Sequence, residues 1–225
     1  MNLKSIDVVH CSDLHGKLRL LDSFADGTEA QPDLFILTGD ILPNFSEADR
    51  QTEEELQPAW VEGTAEQFRN IFKDTPVLFQ RGNHEFCWPD EIWNEHGINV
   101  FRVMRSCQTI FGLTFAGFSE INFIEGRWPG ETQSPEMAAI VDEVIGNNPD
   151  ILITHAPPGG IMDGVHNSYG VVPLASQLFY RPNTIRYHLF GHTHGCRGTV
   201  EQGGILFSNA ATGFNRLTMI QKEIP

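Results

Sequence analysis

The sequence predicts an α/β layered protein, a pair of mixed sheets with helices outside, on three observations. Short β-branched or aromatic runs end abruptly in polar clusters, amphipathic helical patterns lie between several of them, and the last quarter reads as turn-linked strands. At 225 residues, the chain suits one domain, taken as residues 1–225, with a core of its own.

The first run is Ile6-Asp7-Val8-Val9-His10-Cys11, which stops at Ser12-Asp13-Leu14-His15. Leu34-Phe35-Ile36-Leu37 stops at Thr38-Gly39-Asp40, and Val77-Leu78-Phe79-Gln80 at Arg81-Gly82-Asn83-His84-Glu85. Ile151-Leu152-Ile153 stops at Thr154-His155-Ala156-Pro157-Pro158, and Tyr187-His188-Leu189-Phe190 at Gly191-His192-Thr193-His194. Runs of this length and composition read as buried strands. Between them, Trp60, Val61, Thr64, Phe68, Ile71 and Phe72 form one helical stripe. Met137, Ile140, Val141, Val144 and Ile145 form another, with Ser134 as N-cap and Pro135 in the first turn. Residues 107–111 and 113–118 flank Gly112 like a hairpin. Residues 198–200, 205–207 and 217–220 predict a terminal antiparallel meander turning at Gly203-Gly204. Residues 41–57 and 156–172 read as loops. The first contains the acidic run Glu47, Asp49, Glu53, Glu54 and Glu55, whose ordinary role is a solvated face and whose alternative role is to line the site.

Fifteen basic and 29 acidic residues give a formal charge of −14, which argues against extended nucleic acid and against anionic membranes as partners. No apolar stretch reaches membrane-spanning length, the first residues lack a signal-peptide hydrophobic region, and four cysteines are scattered without a CxxC. A reduced, cytoplasmic protein is the expectation.

The polar clusters collect Asp13, His15, Asp40, Asn83, His84, His155, His192 and His194. In parallel sheets, clusters at strand C-termini converge on one crevice. A single buried His or Asp at a strand end is ordinarily a satisfied structural group. Five such clusters would bury charge repeatedly without partners, so the set points to metal binding. Mixed N and O donors suit divalent Mn, Fe, Zn, Ni or Mg, with Mn²⁺ preferred. The pairs Asp13-x-His15 and His192-x-His194 can each face one centre or two adjacent ones. Seven ligands are too many for one ion and fit two that share a bridging carboxylate, Asp40 or Asp13.

These blocks, in this order over residues 6–215, resemble the calcineurin-like metallophosphoesterase superfamily. His155-Ala156-Pro157-Pro158-Gly159 and Asn209-Ala210-Ala211 resemble its metallophosphoesterase-domain-containing branch, which is like the class III cyclic nucleotide phosphodiesterases. The resemblance implies a four-layer α/β/β/α sandwich. It implies two divalent metal ions, with Asp13, His15 and His194 on the first, Asn83, His155 and His192 on the second, and Asp40 bridging. His84 would touch the substrate phosphate or protonate the leaving oxygen. A metal-bridging hydroxide would attack a small-molecule phosphoester, with a small nucleotide-like diester favoured and a monoester as the alternative. A catalytically silent binding scaffold is the third reading, disfavoured because every ligand position is intact. Two departures matter. Where protein Ser/Thr phosphatases carry Gly-Asp-x-x-Asp-Arg-Gly, this chain has Gly39-Asp40-Ile41-Leu42-Pro43-Asn44, and the metal-binding Tyr of purple acid phosphatases is absent at Pro43.

Among the remaining residues, His10, His188 and Cys11 read as core, and His96 as a helix-end cation. His166 is the best extra substrate contact in its long loop, Arg81 is a weak phosphate candidate, and Cys87 and Cys196 are weak candidates for oxidation.

Overall fold

The computed structural model describes residues 4–46, 49–164 and 169–221. The chain runs β1 (Ser5–Ser12), α1 (Asp22–Ala25), β2 (Leu34–Leu37), α2 (Arg50–Phe72), β3 (Val77–Phe79), α3 (Asp90–Glu95) and β4 (Val100–Arg102). It continues through β5 (Gln108–Ile110), β6 (Leu113–Phe118), β7 (Ile121–Asn122), β8 (Glu131–Thr132), α4 (Ser134–Gly146), β9 (Ile151–Thr154) and α5 (Val172–Tyr180). The last strands are β10 (Tyr187–Phe190), β11 (Gly198–Gln202), β12 (Ile205–Asn209) and β13 (Gly213–Ile220).

Two sheets result, in the orders β13-β1-β2-β3-β4 and β11-β12-β10-β9-β6-β5, with β7-β8 as a separate pair. The centre of each sheet is parallel, and β13, β11 and β5 add antiparallel edges. The two-residue alternation of each strand divides its apolar side chains between two cores. Ile6, Val8, Leu34 and Ile36 point between the sheets, where they meet Phe115, Ile151, Ile153 and Leu189. Val9, Cys11, Phe35 and Leu37 point outward onto Val61, Phe68, Phe72 and Trp93 of α2 and α3. Leu152, Phe190 and Phe207 of the second sheet point outward onto α4 and α5, which present Ile140, Val144, Leu174 and Leu178. The four layers are therefore α/β/β/α. The parallel strands run strand-to-helix in the same sense, so their C-terminal ends open on one edge of the sandwich.

Three expectations are corrected. The segment 41–57 is not all loop, because α2 begins at Arg50, capped by Asp49, whose carboxylate accepts from Thr52 N. Its first two turns place Glu53 and Gln57 on the buried face, in line with Val61, Ala65 and Phe68. Two polar residues there break the apolar stripe, and Pro58 interrupts the pattern further, so the helix is illegible before Trp60. Glu54 and Glu55 are exposed, but Glu53 is buried and accepts from Phe45 N and Ser46 N, both at 2.7 Å. Glu47 lies outside the described residues.

The terminal meander holds only for β11 and β12, which pair across the Gly203-Gly204 turn. β13 leaves that sheet and pairs antiparallel with β1 along all eight residues, Ser5 with Ile220 through Ser12 with Gly213. Burial drives the crossover, since Leu217 and Met219 enter the core between the sheets. Finally, Ser134 is the first residue of α4, and Gln133 occupies the cap position without a side-chain cap.

Candidate metal centre

The ends of β1 and β2 are zipped together by backbone hydrogen bonds beyond the strands. Asp13 N donates to Gly39 O, His15 N to Asp40 O and Gly16 N to Ile41 O, each at 2.9 Å. The price is backbone strain. Asp13, His15, Asp40 and His192 all have φ between 45° and 65°, a region that side-chain-bearing residues rarely adopt. Asp13 and His15 thus share a side because of a left-handed turn, not because an extended strand end projects alternate residues. Glycines are required where these turns meet. A Cβ on Gly191 would overlap Ser12 Oγ and Asp13 Oδ2, and one on Gly82 would overlap Asp40 Oδ1.

The turns deliver two donor groups. Asp13, His15 and His194 form one, and Asp40, His155 and His192 the other, each with ligand atoms within 4.8 Å of one another. Asn83 joins the second group through Oδ1, 3.1 Å from His155 Nε2. All seven residues expected as ligands come together, and the His192-x-His194 pair divides between the groups.

The donor chemistry fits cations. His155 Nδ1–H donates to Thr38 O at 2.7 Å, which turns Nε2 toward the cluster. Around that Nε2 stand Asp40 Oδ2 at 3.2 Å, Asn83 Oδ1 at 3.1 Å and His192 Nδ1 at 3.2 Å. Four atoms able to ligate a cation thus face one point, and a cation or protons must lie between them. Charge follows the same logic. Burial acts to raise the Asp40 carboxyl, but His155, His84 and His15 override it and hold it below the ordinary range. Asp13 is likewise held low against burial by the hydrogen bond from His194. Burial lowers His192 to about 4, whereas Asp40 overcomes the burial of His155 and raises it to about 10.

A layer of polar residues behind the cluster was invisible to sequence reasoning. Glu85 is fully buried, and its carboxylate accepts from four backbone N–H groups. These are Asp40 N (2.8 Å), Gly82 N (2.7 Å), Ile41 N (2.5 Å) and Leu42 N (3.0 Å). Glu85 therefore clamps the β2 and β3 turns and leaves its neighbour His84 alone. Gln57 of α2 donates to His84 O at 2.6 Å and accepts from Phe86 N at 2.8 Å. Asp40 accepts His84 N–H at 2.8 Å through Oδ1, and His84 Nε2 lies 3.9 Å from Oδ2 of the same carboxylate.

Above the cluster lies a cleft of about 580 Å³, lined by Asp40, Asn83, His84, His192 and His194 and, at its rim, by Ile124, Trp128 and Tyr169. The aromatic rim residues carried no motif. Arg81 does not line the cleft, because its guanidinium lies over Trp88 at 4.7 Å. Cys196 does line it, whereas burial pushes the Cys87 thiol up to about 12 and so away from thiolate chemistry. Cys11, His10 and His188 are buried in the layers, and His96 caps α3 beside Glu62 at 2.9 Å. His166 lies outside the described residues.

Two stacked mixed sheets, delivering paired N/O donor groups from their strand ends into one cleft, define a class of α/β phosphoesterase folds built around a paired metal site. The chain belongs to the calcineurin-like phosphoesterase family, whose model matches residues 6–196. The UPF0046 protein K07C11.7 of Caenorhabditis elegans is 29% identical over 152 residues, 60% of this chain, and the chain spans about half (51%) of that relative. In fold, the chain is similar to TT1561 of Thermus thermophilus, with 14% identity, a TM-score of 0.61 and coverage of 92% and 90% of the two chains. It is also similar to a dimetal phosphatase from Danio rerio, with 10% identity, a TM-score of 0.56 and coverage of 96% and 93%. Among the described residues, no helix is long and apolar enough to cross a membrane.

Proposed function

We propose that this protein is a dinuclear-metal-dependent phosphodiesterase acting on small-molecule diesters. The observation that carries the reading is the pair of donor groups meeting at Asp40 beneath a cleft that His84 also lines. Asp13, His15 and His194 would hold one divalent cation, Asn83, His155 and His192 would hold the other, and Asp40 would be shared between them. Bound there, the cations supply Lewis acidity toward the phosphoryl oxygens and a water acidic enough to attack at neutral pH, and Mn²⁺ suits the mixed donors.

The chain's own part is positioning and proton delivery. His84 is held by its backbone from two sides, Asp40 Oδ1 and Gln57, while its ring packs edge-on against His15 at 4.9 Å. Its imidazole protonates the departing alkoxide, the step a diester needs most because that oxygen leaves poorly. A monoester dianion is ordinarily clamped by Arg or Lys. Among the described residues, neither lines the cleft, which supports the diester monoanion as substrate.

The test compares bis-p-nitrophenyl phosphate with p-nitrophenyl phosphate on Mn²⁺-loaded protein. The diester is expected to turn over faster, and His84→Ala is expected to cost roughly 10²–10⁴-fold in kcat with metal content unchanged. A monoester preference would reverse the substrate assignment. Loss of metal along with activity in His84→Ala would make His84 a ligand or support. Full metal occupancy with no turnover of either ester would favour a binding scaffold.

A further inference from the structure

Resting on that reading, we propose that Trp128, with Ile124 and Tyr169, forms a recognition slot for a planar aromatic ring carried by the substrate's organic group. The slot lies beside the donor groups on two sides. The Trp128 ring centroid is 4.4 Å from that of His84, and the Tyr169 ring meets His192 edge-on at 5.5 Å. An ester whose phosphate sits over the donor groups therefore extends its organic group between two aromatic walls. Ile124 and Tyr169 are 45% and 43% exposed, so both offer surface to a ligand in the cleft.

Trp128 is held in place by its loop. Glu131 accepts the backbone N–H groups of Ile124 (2.7 Å), Glu125 (2.8 Å), Gly126 (2.6 Å), Arg127 (3.1 Å) and Trp128 (2.8 Å). One carboxylate thus winds five consecutive residues around itself, and these contacts hold it below its ordinary range against burial. The indole N–H donates to Glu125 Oε1 at 3.0 Å, and the Arg127 guanidinium lies 5.5 Å from the ring centroid. Backbone and indole edge are both anchored before any ligand arrives, so little ordering entropy remains to be lost on stacking. Trp128 is the contact residue in this arrangement, and Glu131 is a positioning residue acting through it.

The experiment is calorimetric titration of Mn²⁺-loaded protein with phenylphosphonate and methylphosphonate, which share a headgroup and resist hydrolysis. Phenylphosphonate is expected to bind roughly tenfold tighter, the ordinary worth of one stacked ring. Trp128→Ala is expected to bring the two ligands within about twofold, and Trp128→Phe to retain most of the difference. Glu131→Gln offers one acceptor oxygen to five donors and is expected to shrink the phenyl-to-methyl ratio while methylphosphonate binding persists. A general loss of fold would weaken both ligands together and would show in thermal unfolding. Equal wild-type affinities overturn the slot and leave the phosphoester site standing. Unchanged selectivity in folded Trp128→Ala overturns the role of Trp128. Failure of both phosphonates, and of dimethylphosphinate as a monoanionic diester mimic, to bind metal-loaded protein overturns the underlying phosphoester reading.

Discussion

Glu85 shows how a single residue organises chemistry it does not perform. Its neighbours in sequence, Asn83 and His84, reach into the cleft, while its own side chain turns inward to four backbone donors. Burial, with the Asp40 charge beside it, pushes the carboxyl up to about 7, against the N–H groups that favour the ionised form. Glu85→Gln keeps the volume but sets an amide N–H₂ against backbone donors. A loss of about 1–3 kcal/mol in unfolding free energy is expected from the stranded groups, read from denaturant midpoints. Mn²⁺ affinity is expected to fall with it, because the same carboxylate holds the Asp40 turn. Sequence reasoning found the motif Gly82-Asn83-His84-Glu85 but saw only adjacency. The partners of Glu85 at Asp40, Ile41 and Leu42 are 43 to 45 positions away.

α2 carries this logic to a helix. Its C-terminal half is an ordinary amphipathic helix, and Phe68, Ile71 and Phe72 were legible because core packing requires a 3.6-residue period. Its N-terminal half spends the same face on hydrogen bonds to loops. Glu53 binds the backbone at Phe45 and Ser46, and Gln57 binds at Pro43, His84 and Phe86. Gln57→Ala strands three backbone groups at once. It is expected to cost about 2 kcal/mol of stability and to lower kcat, with metal content retained, because His84 loses its rear support. Metal analysis beside steady-state kinetics checks this. An equal loss of metal and kcat would mean that α2 supports the ligands rather than His84. β13 is the second element that local patterning misplaced. Its alternation is as well suited to β1 as to β12, and only the space left at the edge of the first sheet decides between them.

Across the sandwich, the two sheets are joined by polar contacts as well as by apolar ones. His10 of β1 crosses to Ser208 of β12 at 2.9 Å and also meets Thr38, just after β2 of its own sheet, at 3.0 Å, whereas His188 of β10 meets Thr154 of β9 within the second sheet at 2.8 Å. Burial lowers both imidazoles to about 3, with the Asp13 charge opposing at His10. Between pH 6.5 and 3, the unfolded chain binds protons that the folded chain refuses, so stability is full above pH 6.5 and falls as pH drops through that window. Each imidazole removes about 1.4 kcal/mol per pH unit there. Urea midpoints measured on chelator-treated protein from pH 7 to 5 are expected to decline, and His10→Asn to decline less steeply, by about one proton. Metal acts in the opposite sense. Mn²⁺ at a hundredfold excess over its dissociation constant is expected to stabilise the fold by about 2.7 kcal/mol, seen as a rise in Tm that a chelator reverses.

The apolar runs of β1, β2, β9 and β10, the stripes of α4 and of the second half of α2, and the inventory of Asp and His at the strand ends were all legible in the sequence. Each is a local consequence of burial, since a strand between two apolar layers must be apolar on both faces, and a ligand set must stand where strands stop. The resemblance already implied that His192 and His194 serve different donor groups, whereas tertiary structure alone decided that Glu85 and Gln57 stand behind the cluster, that β13 crosses to the first sheet, and that Trp128 faces His84. Those arrangements rest on contacts between residues far apart in the chain, many of them from a side chain to a distant backbone group. Any residue supplies a backbone N–H or C=O, so such a contact leaves no recurring pattern for the sequence to display.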